Sequence, residues 1–215
     1  GPRLKSMLEY FSKIHRGEQV DLEWVTSRGR MGTDWIPSEM EGAVIVEAHQ
    51  SKGTTSASDT EDAVTAMVGS GIDLLVYSGG DGTTRDIVAS LSKLESSETP
   101  VIGVPSGVKM YSGCFASSPK GAAEVLSSWI NGDLLASSTE VLDMDEDLYR
   151  EGKWVVRLYA EAFSPNSPRW MQGSKELVQT ESEDDVVVGL SEHIRESLVS
   201  EHQLIIWGSG GTLRA

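Results

Sequence analysis

The sequence is poor in the residues that would make it a disulfide scaffold, a membrane protein or a nucleic-acid binder. One cysteine, Cys114, occurs in 215 residues. That excludes an internal disulfide and a multi-cysteine metal site. No run approaches the ~20 consecutive apolar residues that span a bilayer. The first residues, Gly1-Pro2-Arg3-Leu4-Lys5, carry no apolar secretory core, and a cytoplasmic protein is expected. Basic residues are scarce as well: 18 Lys and Arg stand against 33 Asp and Glu, a net charge of −15. The excess is shared between residues 1–135 and 136–215, so it reads as a solvated surface rather than an acidic tail. Such a surface repels a phosphate backbone, and neither nucleic acid nor a membrane is expected as a partner. The four histidines, His15, His49, His193 and His202, show no metal-ligand spacing. What is present, 39% hydrophobic and 24% charged residues, suits an ordinary folded core with a charged surface.

Helix and strand signals alternate through the first part of the chain. Residues 4–15 place Leu4, Leu8 and Phe11 at helical spacing. Residues 20–25 alternate like a half-exposed strand, a loop follows over 26–41, and 43–48 (AVIVEA) read as a buried strand. Ser58-Asp59-Thr60-Glu61 has the form of a capping box, and Gly71 is placed to end the helix it opens. A strand over 72–77, a helix over 83–94, a strand over 101–104 and a helix over 120–130 capped by Ser118-Pro119 complete the series. The alternation predicts an α/β fold: an N-terminal three-layer domain with a mostly parallel sheet over residues 1–135. Asn131-Gly132-Asp133 marks a turn. Strands over 139–144 and 153–163, joined by residues 143–152, then predict a second, strand-rich domain over residues 136–215, with a helix over 184–199 and a strand over 204–207.

The segment that carries chemistry is LLVYSGGDGTTRDI, residues 74–87. An apolar strand runs into Gly79, Gly80, Asp81, Gly82 and Thr83 and then into a helix. Glycines let backbone N–H groups approach an anion closely, and the helix presents its positive end to it. Asp81 inside a phosphate cradle needs a reason to be there: it can seat Mg²⁺ or accept a proton from an attacking hydroxyl. A plain helix-capping role is the alternative. Asp86 can orient a ribose hydroxyl or a metal, or be an acid favoured near a helix N-terminus. Arg85 can pair with phosphate or with a surface acid. Residues 105–112 follow another buried strand and reach the same sheet edge. There, beside Gly107, Ser106, Tyr111 and Ser112 offer hydroxyls and Lys109 a charge suited to phosphate; a polar loop with Lys109 in solvent is the alternative. Gly208, Ser209, Gly210, Gly211 and Thr212 form a second glycine-rich stretch after a strand, which serves either as a further phosphate loop or as a turn.

GGDGT after an apolar strand resembles the signature shared by NAD kinases and by diacylglycerol and sphingosine kinases. Several flanking pieces resemble one branch, the archaeal-type ATP-NAD kinase-like proteins. They are Thr54-Thr55 with Asp59-Thr60, GGDGTTRDI, GVPSGVKMYSG over 103–113, Arg157-Leu158-Tyr159, Gln172, Lys175 and GSGGT over 208–212. The resemblance implies transfer of a phosphoryl group from ATP, or another phosphoryl donor, to the adenosine ribose of NAD, with Mg²⁺. It also implies that the GGDGT loop binds nucleotide phosphates and that Asp81 is catalytic. Small-molecule nucleotides are then the partners. The family begins with a strand and an Asn-Pro/Gly-rich loop that nothing here matches, and it continues beyond residue 215. A fragment is therefore expected, and with it one of two outcomes: a polypeptide longer than these residues, or an open sheet edge and an apolar patch on the second domain that a partner chain covers, as in a homo-oligomer. Two other readings stand beside this one. A lipid kinase shares GGDGT but calls for a basic membrane-facing patch and a Gly-Thr-Gly-Asn-Asp loop that is missing here. A non-catalytic nucleotide-binding module would need the loops and no turnover.

Overall fold

Hydrophobic periodicity switches between two and 3.6 along the chain, and the backbone follows it. A computed structural model describes residues 1–16, 22–40, 44–50, 55–106, 110–144 and 155–172, all within one compact unit, Gly1–Lys175. In chain order these residues form α1 (Pro2–Ile14), β1 (Glu23–Arg28), three single 3₁₀ turns between Gly29 and Met40, β2 (Val44–Gln50), α2 (Ala57–Gly69), β3 (Leu75–Gly79), α3 (Asp81–Lys93), β4 (Val101–Pro105), α4 (Pro119–Ile130), β5 (Ala136–Met144) and β6 (Val156–Pro165).

Strands β1 and β2 pair in parallel, and so do β3 and β4. The alternation of side chains along β3 and β4 divides the core in two. Leu75, Tyr77 and Val101 face a cluster built with Val64 of α2 and with Ile87, Val88 and Leu91 of α3. Ile102 and Val104, with Val76 at the margin, face the other way, onto Met7, Leu8 and Phe11 of α1 and Ala122, Val125 and Leu126 of α4. Helices thus cover both faces of β3–β4, as parallel strands buried on both sides require. Backbone bonds from Cys114, Phe115 and Ala116 extend the sheet beside β4, with Gly103 N–H to Cys114 O at 2.9 Å and Gln172 N–H to Phe115 O at 2.7 Å. Strands β5 and β6 form an antiparallel ribbon. Its Val141 and Ala162 join the cluster on the α3 face, so the ribbon expected to open a second domain packs on the core of the first.

Several element boundaries differ from expectation by a few residues, and four of the differences have a visible cause. Strand β1 runs on to Arg28, because parallel pairing carries Ser27 and Arg28 opposite His49 and Gln50. The capping box sits two residues earlier than Ser58: Asp59 Oδ2 accepts from Ser56 N–H at 2.8 Å, making Ser56 the N-cap of α2. Helix α3 begins at Asp81 rather than Thr83, since Thr84 N–H already closes a turn on Gly80 O at 3.0 Å. Asp143 lies in β5, paired with Arg157, not in the connection that follows. Ser118 caps α4 as its sequence implies, accepting from Gly121 N–H at 3.0 Å. Gly71 ends α2 with φ +75°. The helix expected over 184–199 and the strand over 204–207 lie outside the described residues.

Candidate functional site

Because β3 and β4 run parallel with Gly79 opposite Pro105, both strands deliver the chain to the same sheet edge. That edge, beyond the C-terminal ends of parallel strands, is where open α/β sheets bind ligands. The GGDGT segment and the start of the 105–112 segment emerge there side by side.

Each glycine of GGDGT does a different job. A Cβ on Gly79 would lie 2.6 Å from Thr83 Cβ and Oγ1, so glycine is needed for the strand to turn directly into the helix. Gly80, the N-cap of α3, has an extended backbone (φ −120°, ψ −170°) that any residue adopts. A Cβ on Gly80 or Gly82 would meet no atom within 4 Å. Open space therefore lies against the first turn of α3, whose leading N–H groups have no partner within the helix. The thirteen-residue helix adds its positive end.

Asp81 is half-buried at the first position of α3, and its carboxylate turns away from its own helix. Oδ2 accepts from Tyr111 N–H at 2.9 Å; Oδ1 accepts from Ser112 N–H at 3.0 Å and from Ser112 Oγ at 2.6 Å. Asp81 thus ties the GGDGT turn to the loop leaving β4. Oδ1 is fully used, while Oδ2 keeps one lone pair. The Ser112 hydroxyl is completely buried. It also accepts from Leu142 N–H of β5 at 3.0 Å.

A buried polar chain supports the turn from below. The Thr84 hydroxyl donates to Gly80 O at 3.1 Å and meets Tyr77 OH at 2.5 Å, and Tyr77 OH meets Cys114 Sγ at 3.3 Å. With Cys114 donating to Tyr77 and Tyr77 to Thr84, each group gives one proton. Burial pushes the Tyr77 hydroxyl well above its ordinary range and the Cys114 thiol up to about 11. Both stay protonated, and Cys114 is a core residue rather than a nucleophile. Tyr77 and Thr84 did not stand out in the sequence as polar partners; a tyrosine ending an otherwise apolar strand was the only signal.

One turn beyond Asp81, Arg85 pairs with Asp143 Oδ2 at 2.7 Å and Asp86 Oδ1 at 3.3 Å. Of its two sequence readings, phosphate or acid, the structure displays the acid. The partner Asp143 comes from β5, which local sequence could not reveal. Asp86 meets Arg85 through Oδ1 alone, which accepts from Nε and Nη2 at 3.3 Å each. Ser106 is exposed directly after β4, and Tyr111 is half-buried. Gly107, Lys109, Gly208, Ser209, Gly210, Gly211 and Thr212 lie outside the described residues. Among the described residues no three His, Cys, Asp or Glu side chains converge as a metal site. Mg²⁺ commonly takes only one or two carboxylates and completes its shell with phosphate and water. The remaining lone pair of Asp81 Oδ2 fits that donor set.

The family described as the ATP-NAD kinase N-terminal domain matches residues 23–134, just over half of the chain. The match runs from β1 past the end of α4 and contains Asp81, its glycines and the Tyr111–Ser112 clamp. No curated protein and no solved structure matches the chain. No helix among the described residues is long and apolar enough to cross a membrane. With the matched domain spanning the strand, turn and helix that carry the site, the chain belongs to the ATP-NAD kinase family.

Proposed function

We propose that this chain is the site-bearing part of an NAD kinase-like phosphotransferase of the archaeal-type branch. It transfers a phosphoryl group from ATP, or another phosphoryl donor, to the adenosine ribose 2′-hydroxyl of NAD. The observation that carries the reading is Asp81. It stands at the N-terminus of α3, beside the open space at Gly80 and Gly82, and one lone pair of Oδ2 is uncommitted.

Phosphoryl transfer needs positioning and charge neutralisation more than covalent help from the protein. The backbone at Gly79, Gly80, Gly82 and Thr83 holds donor phosphates against the positive end of α3. Asp81 Oδ2 takes the proton of the ribose hydroxyl as its oxygen bonds to phosphorus and the bond to the leaving phosphate breaks. Mg²⁺, when bound with the nucleotide, neutralises phosphate charge, and the same Oδ2 is its protein ligand in the alternative assignment. Ser106, Gly107, Lys109 and Tyr111 shape the pocket between donor and acceptor. Asp86 holds Arg85 through Oδ1 and orients a ribose hydroxyl or a metal with its other oxygen. Strands β5 and β6 are the first strands of the strand-rich domain proposed for residues 136–215. Exposed Leu158 and Tyr159 on β6 favour assembly with a second copy.

Labelled NAD mixed with MgATP, or with polyphosphate as donor, yields NADP on this reading. No NADP from any donor, with nucleotide binding intact, returns the chain to a binding module. Phosphorylated diacylglycerol in place of NADP makes it a lipid kinase.

A further inference from the structure

We infer that Ser112 is a positioning residue that fixes Asp81 through its hydroxyl and makes the placement of Asp81 depend on strand β5. The inference rests on the phosphotransferase reading for its consequence but on geometry for its substance. Ser112 is 0% exposed, so its hydroxyl cannot touch a substrate while the core is closed. It has one proton to give and two acceptors in reach, Asp81 Oδ1 at 2.6 Å and Leu142 O at 3.2 Å, and the shorter contact to the carboxylate takes it. It accepts one from Leu142 N–H at 3.0 Å. Ser112 N–H also donates to Oδ1, and Gly113 N–H binds Glu140 O at 2.9 Å. One buried hydroxyl therefore joins the α3 N-terminus, the loop after β4 and the C-terminal part of β5. Leu142 and Glu140 lie beyond the residues that the family domain matches, so a strand outside that domain sets the carboxylate inside it.

A hydroxyl bonded to a carboxylate is one of the stronger hydrogen bonds in a protein. Its loss frees Oδ1 to rotate, and orientation is what such a group contributes to a transition state. Ser112→Ala should lower kcat by about tenfold to a hundredfold, the range expected for one charge-assisted bond. KM for NAD and ATP should stay within about threefold. Because Ser112 acts only through Asp81, adding Ser112→Ala to Asp81→Asn should cost almost nothing further.

The decisive measurement does not need turnover. Amide exchange at Tyr111 and Ser112, whose N–H groups donate to Asp81, should quicken by about tenfold or more in Ser112→Ala. Should alanine fail to fold, Ser112→Thr and Ser112→Val are matched in shape and differ in the hydroxyl. The threonine variant should then protect both amides, and turn over, about tenfold better than the valine variant. Unchanged exchange in Ser112→Ala, equal behaviour of Thr and Val, or additive losses with Asp81→Asn each overturn the inference. A wild-type chain that makes no NADP sinks the phosphotransferase reading alone, and the exchange result still decides Ser112.

Discussion

Replacing Asp81 by Asn tests the site most directly, and the structure changes what that substitution does. Asn is usually chosen because it keeps size and hydrogen bonding. Here the carboxylate accepts three bonds and donates none. One oxygen must become an NH₂ group. The amide oxygen will stay on Ser112, where two donors meet Oδ1, which leaves the NH₂ facing the N–H of Tyr111. Two donors then confront each other at what was a 2.9 Å contact. A lost and opposed hydrogen bond costs about 1–3 kcal/mol when buried. Asp81 is only half-buried, so water can intervene and the low end, about 1 kcal/mol, applies. For a chain of this size that is a fall in Tm of about 2–4 °C. Turnover should fall much further, roughly 10²–10⁴-fold, because the acceptor of the hydroxyl proton is gone. Thermal unfolding reads the first effect, NADP formation in an active preparation the second, and calorimetry with ADP shows whether the phosphate cradle survives. Turnover within a few-fold of wild type would refute a chemical role for Asp81. A collapse in Tm of 10 °C or more would mean that it is chiefly structural.

The glycines should separate stability from binding. Gly80→Ala meets open space and an ordinary backbone, so Tm should move by no more than a few degrees while ATP affinity weakens; equal affinity by calorimetry would show that no phosphate approaches Gly80. Gly79→Ala forces a Cβ to 2.6 Å from Thr83 and should cost about 1–3 kcal/mol as overpacking does, read by urea unfolding, with no loss if the turn simply relaxes. Arg85→Ala breaks a partly exposed pair with Asp143, worth at most about 1 kcal/mol; a larger loss in kcat/KM for ATP than in stability would return Arg85 to a phosphate role. Alkali should destabilise the fold. Cys114 holds its proton up to about 11 when folded against 9.0 ordinarily. Between those values the unfolded chain has lost a proton that the folded chain keeps, so stability falls as pH rises, by about 1.4 kcal/mol per pH unit. Thiol reagents should accordingly ignore native Cys114 at pH 8, and rapid labelling would contradict its burial.

Much of this protein was legible without coordinates, because the signals are local. An apolar run closed by glycines is a strand entering a tight turn whatever surrounds it, so β3, the GGDGT turn and α3 could be found, along with the Ser118 cap and the Gly71 stop. Asp81 stood out because a charge in that turn has few reasons to exist. Boundaries were less secure. The first turn of α3 starts on Gly80 because Thr84 reaches back to it, and β1 ends where β2 stops pairing with it; neither is written in periodicity. What Asp81 does with its oxygens was beyond sequence altogether. Tyr111 and Ser112 are about thirty residues away, and Leu142 is as far again. Only the parallel pairing that sets Gly79 opposite Pro105, and the packing of β5 on α3, bring the four together. The same holds for Arg85 with Asp143 and for Tyr77 with Cys114. Sequence determines which residues can turn, cap or carry charge, since those are properties of a residue and its neighbours. Tertiary structure decides which donor meets which acceptor, since that depends on distances between segments the chain itself keeps far apart.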